Sequence, residues 1–240
     1  MMLDIDHNLK RVREKMAKAA SRVGRNPRDV ELVAVSKTVD VGRIKQAIDA
    51  GATILGENYI QEARKKIEEI GQGVRWDFIG HLQSNKVKHA VDLFELIHSV
   101  DRLSLAQEIN RAAEKKRKKV RILVQVNISG EEAKSGIDPG GVISLVREIA
   151  FLPNLSLEGL MTMPPYFDDP EDARPYFVSL RELRDKVLRE GIEGIILKEL
   201  SMGMSGDFEV AIEEGSTLVR VGTAIFGERN GITSKTSYLS

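Results

Sequence analysis

Short apolar runs recur along the chain, each closed by a polar turn and followed by a stretch with helical spacing. Eight of them read as buried parallel strands: Glu31–Lys37 (ELVAVSK), Thr53–Asn58 (TILGEN), Trp76–His81 (WDFIGH), Leu96–Asp101 (LIHSVD), Val120–Ile128 (VRILVQVNI), Leu155–Met163 (LSLEGLMTM), Ile195–Gly203 (IILKELSMG) and Ser216–Gly227 (STLVRVGTAIFG). Between them the period changes to that of a helix. In SLAQEINRAAEKK, for example, Leu105, Ile109 and Ala112 fall at i, i+4 and i+7 with charges between them. Strand alternating with helix implies a parallel sheet. An open doubly wound sheet usually has fewer strands and a glycine-rich phosphate loop after the first, whereas here the first run leads into SKTVD. The pattern therefore predicts an α/β fold, a single (β/α)8 TIM-type barrel. An extra N-terminal helix, from about Asp6 to Val23, precedes the first strand and ends near Gly24, with Pro27 beyond it. It is expected to cover the bottom or the side of the barrel. No Pro/Ser-rich linker divides the chain, so one domain is expected over 1–240, with 1–30 as helix and lead-in, 31–227 as barrel and 228–240 as C-terminal tail.

Composition narrows the partners. With 240 residues and 42% hydrophobic content the chain can bury a sizeable core. Lys+Arg and Asp+Glu stand at 36 each, so no long-range field recruits nucleic acid, an anionic membrane or an acidic substrate. The absence of cysteine rules out disulfides, thiolate nucleophiles and Cys-type metal centres, and suits a reducing compartment. MMLDIDHNLKRVREKM is too charged for a signal peptide, and no apolar run approaches the length of a membrane span. A cytoplasmic, monomeric protein is expected.

In such a barrel the C-terminal ends of the strands build the site. The residues found there are Lys37, Asn58, His81, Ser99 with Asp101, Asn127, Met161 with Met163, Ser201 to Ser205, and Arg220 to Thr223. Taken singly each has a bland reading: a lysine snorkels, a histidine packs, an asparagine closes a turn. Their convergence is what carries chemistry. Strand parity puts Val33, Val35 and Lys37 on one face of the first strand, and Leu218, Arg220 and Gly222 on one face of the last. First and last strands are neighbours in a closed barrel, so a lysine and an arginine are expected inside its mouth. A nearby positive charge and partial desolvation would both favour the neutral, nucleophilic lysine. An anion site is expected independently in the loops after strands seven and eight, SMGMSGD and RVGTAIFG. There Gly203, Gly206 and Gly222 admit close backbone approach, Ser205 and Thr223 supply hydroxyls, and FEVAIEEG opens a helix facing the same spot. A phosphate clamp beside an activated lysine fits a phosphorylated carbonyl compound. Both pyridoxal 5′-phosphate and a phosphosugar substrate of an aldolase satisfy that minimal pattern.

Longer motifs distinguish them. VAVSKT (Val33 to Thr38), GENY (Gly56 to Tyr59), DFIGHLQSNK (Asp77 to Lys86), NISGEEAKSG (Asn127 to Gly136), GLMTM (Gly159 to Met163), LSMGMSGDFEVAI (Leu200 to Ile212) and VRVGTAIFG (Val219 to Gly227) run in order through nearly the whole chain. With them the sequence resembles the pyridoxal phosphate homeostasis proteins, also described as YggS-like or proline synthase co-transcribed homologue proteins, whose fold is similar to the N-terminal barrel of alanine racemase. The resemblance implies that Lys37 forms an internal aldimine with the aldehyde of pyridoxal 5′-phosphate. It implies that Ser205, Gly222 and Thr223 bind the phosphate, that Arg220 faces the pyridine nitrogen, and that Asn58 and His81 line the ring side. Met202 and Met204 are expected near the ring or filling the mouth. A permanently charged arginine at the ring nitrogen keeps the ring a weak electron sink, which serves transamination and decarboxylation poorly. Racemisation can still operate with an arginine there, as the resemblance to alanine racemase implies. It needs a second acid/base group, a tyrosine that alanine racemase takes from an additional C-terminal domain, and this chain, ending soon after the eighth run, is expected to lack that domain. The expected function is therefore to hold, buffer and deliver the cofactor, with apo enzymes as recipients, without robust catalysis. A low-activity amino-acid racemase and an interaction protein that senses cofactor are the alternatives.

Other patterns carry less. EKKRKKV, Glu114 to Val120, reads as a solvated helix C-terminus. GMSGD lacks the second glycine of a nucleophile elbow and no histidine follows it. His81, His89 and His98 have no metal-ligand spacing. Lys134, on the loop after the fifth strand, reads as an exposed loop lysine, a transient aldehyde contact being the weaker reading.

Overall fold

A computed structural model describes residues 4–71, 73–131 and 133–228, so the expected tail lies outside the described residues apart from Glu228. Eight parallel strands follow one another around a closed barrel: β1 (Glu31–Val35), β2 (Ile54–Glu57), β3 (Arg75–Phe78), β4 (Leu96–Val100), β5 (Val120–Gln125), β6 (Leu155–Met161), β7 (Glu199–Ser201) and β8 (Leu218–Val221). Closure comes from β8 pairing with β1, with Val33 opposite Arg220. The helices are α1 (Ile5–Arg22), α2 (Val41–Asp49), α3 (Ile60–Ile70), α4 (Val87–Leu93), α5 (Leu103–Lys115), α6 (Val142–Ala150), α7 (Arg174–Arg189), α8 (Phe208–Glu213) and α9 (Thr223–Phe226). The (β/α)8 architecture is as the alternating pattern predicts.

Alternation along each strand sorts the core into two layers. Val33, Ile54, Leu96, Leu123, Met161 and Leu218 form a small cluster inside the barrel. Their outward neighbours, among them Ala34, Leu55, Ile97, Ile122 and Val219, join the apolar faces of the helices in a much larger outer layer. The inner layer is thin because many inward positions are polar, and those polar residues form the site described below.

The runs overestimate the strands at their C-terminal ends, where the chain leaves the ladder to form the mouth. The seventh shrinks to three residues, with Leu197 at φ 33 just before it. The eighth stops at Val221, and TAIF after Gly222 forms α9, burying Ile225 and Phe226. Apolar content alone does not separate a strand from a buried helical turn.

The N-terminal helix has a definite place. Ile5, Leu9, Val12, Met16 and Ala19 form its buried stripe, Asp4 caps its start by accepting from the His7 amide at 3.0 Å, and Gly24 at φ 71 follows its end. It packs against α8, α9 and α2. Since α9 is a single turn, α1 takes the position of a full eighth outer helix, covering the side of the barrel where β8 meets β1.

Candidate functional site

The mouth is built from the segments that follow each strand. Lys37 lies two residues past β1, half-buried, in the turn Ser36–Thr38. Val33 points into the barrel, so the same parity directs Lys37 toward the mouth. Ser36 points outward and is fully buried, donating its hydroxyl to Glu57 Oε1 at 2.7 Å. Thr38 has φ 63, a conformation unusual for a β-branched residue.

Arg220 is the charged centre of the barrel interior. Its guanidinium is almost fully buried and donates to Ser201 Oγ at 2.5 Å and to the Thr162 carbonyl at 2.9 Å. Burial pushes its pKa down to about 10, against the attraction of Asp207, so it remains a cation at neutral pH. Beneath it a continuous hydrogen-bonded chain crosses the interior. His98 Nδ1 lies 2.9 Å from Ser201 Oγ, and its Nε2 lies 3.2 Å from Asp77 Oδ2. Arg75 clasps both oxygens of Asp77 at 3.0 and 2.9 Å and reaches Glu31 at 2.9 Å. The chain has a direction. A guanidinium only donates and ionised Asp77 only accepts, so Ser201 Oγ accepts from Arg220, a neutral His98 donates Nε2–H to Asp77, and its Nδ1 accepts the Ser201 proton. Burial lowers the His98 pKa, reinforced by Arg220 and Arg75 and opposed by Asp77, and so keeps the ring neutral at neutral pH. Burial alone would raise the Asp77 carboxyl, but its bonds with His98 and Arg75 hold it below the usual range.

Loops after β7 and β8 are tied by one hydroxyl. Ser205 Oγ accepts from the amides of Gly222 at 3.2 Å and Ala224 at 3.3 Å, which leaves its O–H proton available to an anion. Gly203 holds φ 91, and a Cβ there would stand 2.5 Å from the Ala211 Cβ, so the turn under Ser205 needs glycine. Thr223 is exposed at the start of α9. Asp207 accepts from the Met204 amide at 2.5 Å; burial raises its pKa, against that bond and Arg220. Just after β2, two strands round from β8, Asn58 is half-buried, with a buried Oδ1 that has no hydrogen-bond partner among the described residues.

Three expected positions read differently in the structure. Met202 is completely buried in the outer layer between barrel wall and helices, because its neighbour Ser201 takes the inward position. It does not line the mouth. His81 is exposed three residues beyond β3, 3.2 Å from Ser135 Oγ on the loop after β5, so it stands at the rim. Asn127 closes its own loop, donating to the Glu131 carbonyl at 2.9 Å and accepting from Ser129 and Gly130. Lys134 pairs with Glu131 at 2.7 Å. The basic run falls at and just past the end of α5, where Lys116 pairs with Asp92 at 2.8 Å.

The interior chain through Arg75, Asp77 and His98 was not anticipated as part of the site. Its signal was present as an aspartate in WDFIG and a histidine in LIHSV, polar residues inside apolar runs at the parity of inward neighbours. Also unanticipated is a buried charge cluster outside the wall, where Lys66 of α3 meets Glu57, Glu62 and the Ser36 carbonyl.

Residues 5–230 match the family model described as alanine racemase, N-terminal domain. The chain is 48% identical to the pyridoxal phosphate homeostasis protein of Aquifex aeolicus (strain VF5), over 92% of this chain and 96% of that one. It is 43% identical to the protein of that name from Escherichia coli (strain K12), over 95% and 98%. The chain belongs to the pyridoxal phosphate homeostasis protein family. The solved structure of PipY from Synechococcus elongatus PCC7942 with PLP bound superposes with a TM-score of 0.80 at 32% identity, covering 90% of this chain and all of that one. Among the described residues of this family member no helix is long and apolar enough to cross a membrane, and no group of three or more His, Asp or Glu could hold a metal.

Proposed function

We propose that the barrel mouth binds pyridoxal 5′-phosphate through covalent attachment at Lys37, and that the protein holds and hands on this cofactor without turnover of its own. When bound, the group supplies an aldehyde that condenses with a neutral primary amine, a phosphate, and a pyridine ring whose electron-withdrawing power depends on protonation of its nitrogen.

The observation that carries the reading is the buried Arg220 cation, bonded to a hydroxyl and a carbonyl instead of a carboxylate within ion-pairing distance among the described residues. A desolvated guanidinium so arranged favours an electron-rich partner, and its further N–H donors suit a ring nitrogen that keeps its lone pair. Two more features fit the same group. The Ser205 hydroxyl, held by Gly222 and Ala224, has its proton to give to a phosphate. The half-buried Asn58 amide, whose Oδ1 has no partner among the described residues, has N–H donors to offer an acceptor on the ring. Lys37 supplies the amine from the turn after β1, with Thr223 and His81 at the rim. PipY with PLP bound supports the assignment by family, as do relatives named for pyridoxal phosphate homeostasis.

Arg220 also argues against transamination and decarboxylation. A guanidinium still protonated at neutral pH leaves the ring nitrogen unprotonated and the ring a poor electron sink, so the site retains the cofactor better than it uses it. We read the protein as a cytoplasmic monomer, one cofactor-binding unit over its whole length, with apo forms of PLP enzymes as recipients.

Borohydride reduction of the loaded protein followed by peptide mapping should place one label on Lys37, and Lys37→Ala should lose it together with the visible absorbance. A label on Lys134 or elsewhere, with Lys37 unmodified, would overturn the attachment. Delivery is tested by adding loaded protein to an apo PLP enzyme and comparing reactivation with equal free cofactor. Racemisation of added L-amino acids that disappears in Lys37→Ala would instead establish the racemase.

A further inference from the structure

We infer that Lys66, on α3 outside the barrel wall, is a positioning residue for Lys37, holding the peptides on both sides of it. The inference rests on Lys37 being the attachment residue. Lys66 is 5% exposed on a face of α3 that otherwise buries Ile60, Ala63 and Ile67. Its ammonium donates to the Ser36 carbonyl at 2.6 Å, Glu57 Oε1 at 2.8 Å and Glu62 Oε1 at 2.6 Å. That same Glu62 oxygen accepts the Thr38 amide at 2.5 Å. One cation therefore fixes the residue before Lys37 directly and the residue after it through a carboxylate.

The chain needs such a bracket at this point. The Ser36 amide continues the ladder by donating to the Gly56 carbonyl, and Lys37 follows in an irregular turn. Thr38 then adopts φ 63, which a β-branched residue holds only when its surroundings impose it. Glu62 imposes it by receiving the Thr38 N–H. The Ser36 carbonyl accepts from Val39 as well as from Lys66, so both ends of the turn are tied to one point.

Stability alone does not account for the cluster. Placing an ammonium and the fully buried Glu57 in the apolar layer carries a desolvation cost that their attraction barely offsets, and apolar residues of similar volume often serve as well. Glu57 Oε2 has no partner among the described residues, and burial raises the Glu57 pKa against the opposing pull of Lys66. What a hydrocarbon side chain cannot supply is direction: three N–H donors aimed at a carbonyl and two carboxylates.

The test uses the full chain and the variants Lys66→Met, Glu62→Ala and Lys66→Met/Thr38→Gly. Without cofactor, amide hydrogen exchange of the peptide spanning residues 36–39 and the pH profile of Lys37 methylation by formaldehyde and cyanoborohydride report the turn. With PLP, absorbance titration reports the dissociation constant. Both single variants should weaken PLP binding at least fivefold, speed exchange at Thr38 and shift the Lys37 methylation profile. Thr38→Gly should recover part of the loss, because glycine takes positive φ without Glu62. Should Lys66→Met fail to fold, Glu62→Ala carries the test, since Lys66 keeps Glu57 there. Binding, exchange and methylation within twofold of wild type in Glu62→Ala would overturn the inference. A wild-type label on a different lysine would defeat the attachment reading instead, with exchange and methylation still deciding the bracket.

Discussion

His98 shows how much one ring nitrogen can decide. Ionised Asp77 can only accept, so the neutral ring carries its proton on Nε2, and Nδ1 becomes an acceptor for the hydroxyl of Ser201, whose oxygen accepts from Arg220. Adding a proton would turn Nδ1 into a donor facing Ser201 and set a third cation beside Arg220 on β8 and Arg75 on β3, with Asp77 opposing them. Because burial first, and then those cations, hold the folded-state pKa below its unfolded value of about 6.5, the unfolded chain takes up the proton earlier as pH falls. Stability contributed by neutral His98 is thus fully present above about 6.5 and is lost on the way down to the folded pKa, at up to about 1.4 kcal/mol per pH unit for one proton. Urea unfolding at a series of pH values should show that slope in the wild type and a flatter one in His98→Asn. Asp77, held low, adds its own loss only at lower pH, in the carboxylate range. Equal slopes near pH 6 would mean that His98 is not the group that titrates.

Among the elements, the two loops that close the mouth after β7 and β8 are the most demanding. Gly203 lies at φ 91, and an added Cβ would stand 2.5 Å from Ala211 on α8 and 3.0 Å from the Phe208 Cα. Gly203→Ala should therefore cost about 2–4 kcal/mol, combining the positive-φ penalty with overpacking. It should also weaken PLP binding by displacing Ser205 from the amides of Gly222 and Ala224; denaturant midpoints and absorbance titration check the two effects. These loops were legible in the sequence because glycines, a serine and a strand end have specific backbone uses, and the barrel rule says where they meet. Arg220 was legible for the same reason, since strand period and closure set its side of the wall. Met202 was misplaced because a position at the end of a strand does not by itself say which face of the wall a side chain takes, and Ser201 takes the inward one. Arg75, Asp77 and His98 were passed over because a polar residue in an apolar run declares its burial but not its partners, which come from strands distant in sequence. Lys66 left still less trace, as one cation on an amphipathic helix rich in charge.

In the whole molecule, the two layers divide the work between stability and site. The outer layer carries most of the apolar burial, and α1 contributes a full helix to it in the slot that α9 is too short to fill. The inner layer is thin, polar and joined to the mouth through Ser201 and Arg220. Leu9 belongs wholly to the first: it is 1% exposed in the α1 stripe. Leu9→Ala should cost about 2–4 kcal/mol, lowering the thermal midpoint by roughly 5–12 °C in a chain of this size, while PLP affinity of the folded protein stays within twofold, because distant sites behave additively. Asn8, one residue earlier, joins α1 to the mouth by donating to the Ile225 carbonyl at 3.0 Å, inside the α9 turn that begins at Thr223. Asn8→Ala should cost only about 1 kcal/mol yet weaken PLP binding several-fold, since it frees the turn that carries Thr223 and the Ala224 amide. Calorimetry and absorbance titration on the two variants distinguish the roles. A loss of affinity in Leu9→Ala equal to that in Asn8→Ala would show that the layers respond as one body, and that α1 acts on the mouth through general packing instead of through this single bond.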